Sequence, residues 1–222
     1  MGERKPKMAA KDLKRIKTIA QAAVVVAACY LKVFPFSGIL FGLLAVILFS
    51  RFGGANHFAH WFQKPASWLR IFMICVLAGM VSMTISYLLI RLFRASSIGG
   101  PDFSRFLVVK GNGKLLVVWF IAIWSVVAFG EEIIGRGFLI DRLSLVFDGM
   151  DNAPVIAVVL SSLIFGSVHF YQGVAGVVDN TITGLIFGAV YLSQNRTLWA
   201  NIFSHGLIDS IVLVAFYFGM MP

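Results

Sequence analysis

The stretch FGEEIIGRGF, residues 129–138, closes a strongly apolar run with two adjacent glutamates and an arginine. On a helix Glu132 and Arg136 stand at i and i+4 with the acid N-terminal, the favourable order for pairing. Glu131 points about 100° away around the helix. The arginine therefore neutralises Glu132 and leaves Glu131 without a partner on its own helix. An ionisable group at membrane depth costs about 3 kcal/mol or more, so Glu131 should face a polar cavity and meet a group from another helix. Two further apolar segments offer such groups. FGSVHF sets Phe165 and His169 at i and i+4, and HGLID sets His205 and Asp209 at the same spacing, so that imidazole and carboxylate share a face. A single intramembrane histidine is more often a hydrogen-bonded packing residue than a catalyst. Polar groups at one-turn spacing on three separate apolar segments point instead to one shared site.

A carboxylate and a neutral imidazole facing one water molecule can remove its proton and direct it at a carbonyl. A His–Asp pair opposite can donate hydrogen bonds to the developing oxyanion. Asp209 donates only when protonated; ionised, it orients His205 by accepting its other ring proton. The reaction class is hydrolysis of an amide within the membrane. Zinc held by Glu131, His169 and His205 is the alternative, since two histidines and a carboxylate form a catalytic zinc set. No H-E-x-x-H occurs, however, and metal-free catalysis ranks first. Ser161, Ser162 and Ser204 lie near the motifs but lack a nucleophile-elbow context. A non-catalytic scaffold or immunity protein, or a proton-coupled transporter, is the reading from a different class, because buried Glu–His sets also serve proton relays. No inverted repeat or pair of broken helices supports transport.

The elements that must position these groups follow from composition. Of the 222 residues, 59% are hydrophobic and 13% charged, with a mean hydropathy of +0.88, against roughly 45–50% apolar in soluble domains. The apolar residues run in long blocks, which predicts an all-α, polytopic transmembrane bundle of six or seven helices around an intramembrane polar cavity. The net charge of +9 does not indicate nucleic acid: seven of the 19 Lys and Arg lie before position 18. They flank the first span as a cytoplasmic anchor near anionic lipid. A second basic cluster, Arg91, Arg94, Arg105, Lys110 and Lys114, again flanks spans. Cys29 and Cys75 lie within apolar runs and read as packed thiols. The basic N-terminus resembles a signal peptide without a convincing cleavage site, which favours an uncleaved first helix.

The run 19–49, apolar except for Lys32 and broken at Pro35, would make roughly 46 Å of helix. It is read as one kinked span or two short ones. Positive charge on one side of the membrane favours one span here, hence six in all. Residues 51–67 form an interfacial connector to which His57 and His60 belong. Spans follow at 68–93, 115–139, 155–171, 177–193 and 198–220, with loops at 96–114 and 141–154. Gly184 and Gly188 provide G-x-x-x-G spacing for close helix approach. The chain reads as a single membrane domain, 1–222: a basic cytoplasmic N-terminus (1–17), N-terminal helices and loops (18–114) and a catalytic helix core (115–220). The implied partners are the lipid bilayer and a peptide or membrane-protein substrate.

EEIIGR, FGSVH and HGLID, in this order, resemble the E-E-x-x-x-R, F-x-x-x-H and H-x-x-x-N/D motifs of the CAAX protease and bacteriocin-processing (CPBP, or Abi) family of intramembrane endopeptidases. GLIFGAVYLSQNRTLWANIFSH between them is similar to the family's pattern, and the resemblance spans roughly residues 115–210. It implies a conical helical bundle with a membrane-embedded cavity. Glu131 would be the general base, with His169 helping to activate water. His205 and Asp209 would line the oxyanion side, and Glu132, Arg136 and Phe165 would support the site. Asp209 stands where the eukaryotic-type CAAX proteases carry Asn, which separates this chain from them and from their prenylated substrates. Some family members cleave prenylated C-terminal tripeptides, some process or confer immunity to bacteriocins, and some act as scaffolds. The small size suggests a bacterial plasma-membrane protein.

Overall fold

Inside a bilayer every backbone N–H and C=O must find its partner within its own segment, so the apolar runs become helices. The structure is a computed structural model that describes residues 10–31, 36–52 and 57–220, and among these residues there is no strand. The helices are α1 (Ala10–Cys29), α2 (Ser37–Phe52), α3 (His57–Trp61), α4 (Trp68–Arg94), α5 (Gly113–Val146), α6 (Ala153–Val168), α7 (Gly173–Ser193) and α8 (Trp199–Tyr217). Short 3₁₀ turns at Ser104–Val109 and Phe170–Gln172 precede α5 and α7. The break read at Pro35, the charge of Lys32, residues 1–9 of the basic flank and the side chain of His57 lie outside the described residues.

Among the described residues, four helices are long and apolar enough to cross a membrane: α4, α5, the stretch Phe170–Ser193 and α8. Ser37–Arg51 and Ala153–Val168 are apolar but shorter. This differs from the six or seven full spans expected. The 16 residues of α6 give about 24 Å of helix against a hydrocarbon core of about 30 Å. The helix stops short because the chain turns at His169. The long run 19–49 divides into α1 and α2, which pack along each other. Ser37 Oγ, at the start of α2, donates to the Leu31 carbonyl just past the end of α1 at 2.8 Å.

Local signals set the helix starts. Ser67 Oγ accepts from the Arg70 N–H at the head of α4, and Asn112 Oδ1 accepts from the Leu115 N–H at the head of α5, as N-caps do. Pro154 occupies the first turn of α6, where its missing N–H costs nothing. Helix α5 is central. It meets α1 and α2 on one side and α6, α7 and α8 on the other, while α4 packs on α7 and α8. Residues 132–140 of α5 are all buried, as expected of a helix packed all round.

The tightest packing brings α6 against α7, the helices on either side of the His169 turn. A side chain at Gly184 would sit 2.9 Å from Ser162 Cβ and 3.0 Å from its Cα, and one at Gly188 would sit 2.5 Å from Val158 Cγ1. The G-x-x-x-G pair thus serves close approach of α7 to α6. Overpacking of such a contact costs about 1–3 kcal/mol. Gly184→Val is accordingly expected to lower the thermal unfolding temperature in detergent; an unchanged temperature would mean that the helices separate here at no cost.

Candidate active site

Helix α5 supplies the acids through an irregular winding. Residues Ile123–Val127 and Ile133–Ile140 adopt i→i+5 hydrogen bonding on either side of the α-helical turn that carries Glu131 and Glu132. Such π-segments need support from neighbours in an apolar setting. Here Ser161 Oγ of α6 donates to the Gly135 carbonyl at 2.6 Å.

Glu132 is fully buried and Arg136 is 2% exposed, and their Oε1 and Nη1 lie 3.0 Å apart. The guanidinium also lies over the Phe165 ring (4.3 Å) and the Phe187 ring (5.3 Å). Charge pairing and ring faces together compensate a cation withdrawn from water. Phe165, on α6, thereby links the arginine to the histidines. Its ring centroid is 4.8 Å from that of His169 and 6.5 Å from that of His205.

His205, on α8, is the hub. Its Nδ1 is 2.8 Å from Glu132 Oε1, and its Nε2 is 3.7 Å from Glu131 Oε2 and 3.5 Å from Asp209 Oδ2. The two nitrogens of one imidazole therefore meet two adjacent glutamates, although neighbouring helix positions diverge by about 100°. With Nδ1–H donated to Glu132, Nε2 faces the carboxyls of Glu131 and Asp209. Exposure separates their surroundings: the Glu132 side chain is sealed, whereas Glu131 and Asp209 are 16% and 31% exposed.

His169 caps α6, with Nδ1 at 2.8 Å from the Phe165 carbonyl. That contact makes Nδ1 the donor and leaves Nε2 as the basic nitrogen. Glu131 lies in electrostatic range of His169 as well as of His205, Asp209 and Glu132. Among the described residues no ion pair joins His169 to Glu131. The chain turns away through Phe170–Gln172 and restarts at Gly173, whose φ of 78° only glycine adopts without strain.

Glu131, Glu132, Arg136, Phe165, His169, His205 and Asp209 are thus gathered from three helices. The polar cavity expected around them is a different matter. A cleft of about 370 Å³ lies between α4, α5 and α8, and it is apolar, lined by residues that include Trp68, Cys75, Trp124 and Phe203. His60 lies elsewhere, with Nε2 on the Asn195 carbonyl. Cys29 and Cys75 are free thiols. The hydroxyls of Ser161, Ser162 and Ser204 all donate to backbone carbonyls. Among the described residues no group of three or more His, Cys, Asp or Glu is disposed to hold a metal ion.

Three residues near the site escaped the sequence reading. Tyr171 follows the histidine turn, 5.8 Å from the His169 ring. Asn201 stands one turn before His205, fully buried, and donates to the Phe187 carbonyl at 2.7 Å, tying α8 to α7. Asp179 on α7 lies in electrostatic range of His169. The last two carried a signal, since each is a polar residue inside an apolar segment.

Comparison with protein families adds an independent finding. The family described as "Type II CAAX prenyl endopeptidase Rce1-like" matches residues 113–211, which run from the start of α5 through His205 and Asp209 of α8. No curated protein and no solved structure matches the chain. With apolar helices long enough to cross a bilayer, the chain is an integral membrane protein, and over residues 113–211 it is similar to the Rce1-like type II CAAX prenyl endopeptidase family.

Proposed function

We propose that the protein is a glutamate-dependent intramembrane endopeptidase that hydrolyses a peptide bond of a membrane-associated peptide or protein. The observation that carries this reading is the convergence of Glu131, Glu132 and Asp209 on His205, with His169 in electrostatic range of Glu131. Glu131 and His169 act on one water. The carboxylate takes its proton as the oxygen attacks the carbonyl, and later returns it to the leaving amine. His205 and Asp209 face the developing oxyanion. His205 donates there from Nε2 when that nitrogen bears a proton. Glu132, Arg136 and Phe165 hold the imidazole in place.

The catalytic core is the segment 115–220, preceded by the helices and loops of 18–114 and a basic cytoplasmic tail. The bacterial plasma membrane is the proposed location. Zinc on Glu131, His169 and His205 forms no part of this mechanism, and activity retained after chelation is the corresponding expectation. The test is comparative peptidomics of membranes carrying the wild type or Glu131→Gln. Peptides that appear only with the wild type identify substrate and cleavage site together. Identical peptide profiles, with the phenotype retained, would favour a scaffold.

A further inference from the structure

Helix α1 begins, and α2 and α5 end, at one corner of the bundle. Arg15 Nη2 of α1 donates to the Asp148 carbonyl just past α5 at 3.0 Å. The Phe49 ring of α2 stacks on Phe138 of α5, with ring centres 6.3 Å apart. The Arg142 guanidinium carbon lies 5.3 Å from the centre of that same Phe138 ring, and α1 packs along residues 141–146. Arg142 is only 9% exposed. Three buried polar atoms of this corner have no hydrogen-bond partner: Arg15 Nε, Ser50 Oγ and Arg142 Nη2. Among the described residues neither arginine forms an ion pair. The carboxylate next to Arg142 in the chain, Asp141, is taken by Arg196 at 2.6 Å, by the Tyr191 hydroxyl and by the Trp61 indole.

We infer that this corner binds a phosphate group, with Arg15, Ser50 and Arg142 donating to its oxygens. A buried guanidinium without a counter-ion is costly. Arg136 has Glu132 at 3.0 Å, whereas Arg142 has only a ring face. The unpartnered atoms are two guanidinium nitrogens, which only donate, and a hydroxyl, which can donate. Such a set suits an anion with several oxygens. Phosphate offers them in tetrahedral directions to donors arriving from three helices, and guanidinium matches its geometry. The dipole of α5 accounts for Arg15 Nη2 at the helix C-terminus, but for neither Arg15 Nε nor Arg142. The depth favours a phospholipid headgroup as the source. The 34 residues of α5 make about 51 Å of helix against a hydrocarbon core of about 30 Å, so its end reaches headgroup level. Two arginines without a paired acid favour a lipid of net negative charge over a zwitterionic one.

The test uses the full chain in an uncharged detergent. Phosphatidylglycerol, phosphatidylcholine or inorganic phosphate is added, bound lipid is counted by native mass spectrometry, and the unfolding temperature is followed. Phosphatidylglycerol should bind about tenfold more tightly than phosphatidylcholine, as befits one charge-assisted contact. It should also raise the unfolding temperature, because a ligand held only by the folded chain stabilises it. Arg142→Gln should erase the preference, and Arg15→Gln should reduce it. With no additive, Arg142→Gln should unfold no lower than wild type, since it removes an unpaired buried cation; phosphatidylglycerol should then place wild type above the variant. Equal stabilisation by inorganic phosphate, lost in the same variants, would keep the phosphate site and make its ligand soluble. Indifference to all three additives overturns the inference. So does an equal loss of preference in Lys14→Gln with Lys17→Gln, exposed cations of the same helix, which would mean diffuse attraction to anionic lipid. Unfolding of Arg142→Gln far below wild type without any additive would overturn it as well, because the guanidinium would then be satisfied within the protein.

Discussion

Glu131→Gln is expected to lower peptide cleavage by about 10²–10⁴-fold, the range for loss of a positioned general base, while insertion and thermal stability stay close to wild type. The substitution keeps size and hydrogen bonding but removes the group that accepts the water's proton. Glu131 is separable from the structural acid beside it. Its side chain remains 16% exposed and sits 3.7 Å from His205 Nε2, whereas Glu132 is sealed against Arg136. The loss should fall on kcat, because the missing interaction forms in the transition state. Activity within a few-fold of wild type would remove Glu131 from the chemistry and reopen the scaffold reading.

The second large effect is on stability. Arg136→Ala leaves a fully buried carboxylate with His205 Nδ1 but without its cation, and breaking such a pair from one side costs about 3–5 kcal/mol. It also strips the cation from the Phe165 and Phe187 rings. A marked fall in unfolding temperature is expected. Adding Glu132→Gln to Arg136→Met should recover most of that stability, since no unpaired charge is then left buried, while cleavage stays impaired because His205 loses the anion on Nδ1. Unfolding measured in detergent for the three proteins decides the matter. If Arg136→Ala unfolds at the wild-type temperature, the pair has no structural role.

Much of this centre was legible in the chain. The i, i+4 order of Glu132 and Arg136 foretold their contact, and the isolation of Glu131 on its own helix foretold a partner from another. HGLID placed His205 and Asp209 on one face, where they now lie 3.5 Å apart. The sharing of one imidazole by both glutamates was not legible. It depends on the winding of α5 around residues 123–140 and on the register of α8, neither of which leaves a local pattern. Of the six or seven spans expected, four are of full length among the described residues, for a related reason. Hydropathy shows that 153–168 is apolar but not that the helix must stop at His169 to aim an imidazole inward.

The most direct measurement is a double-substitution cycle on kcat/KM for a cleaved peptide in proteoliposomes, using Glu131→Gln, His169→Ala and both together. Two residues that act on one water fail as a unit, so the double variant should be no slower than the slower single one. Losses that multiply across the pair, or cleavage that survives both substitutions, would contradict a shared reaction centre for Glu131 and His169.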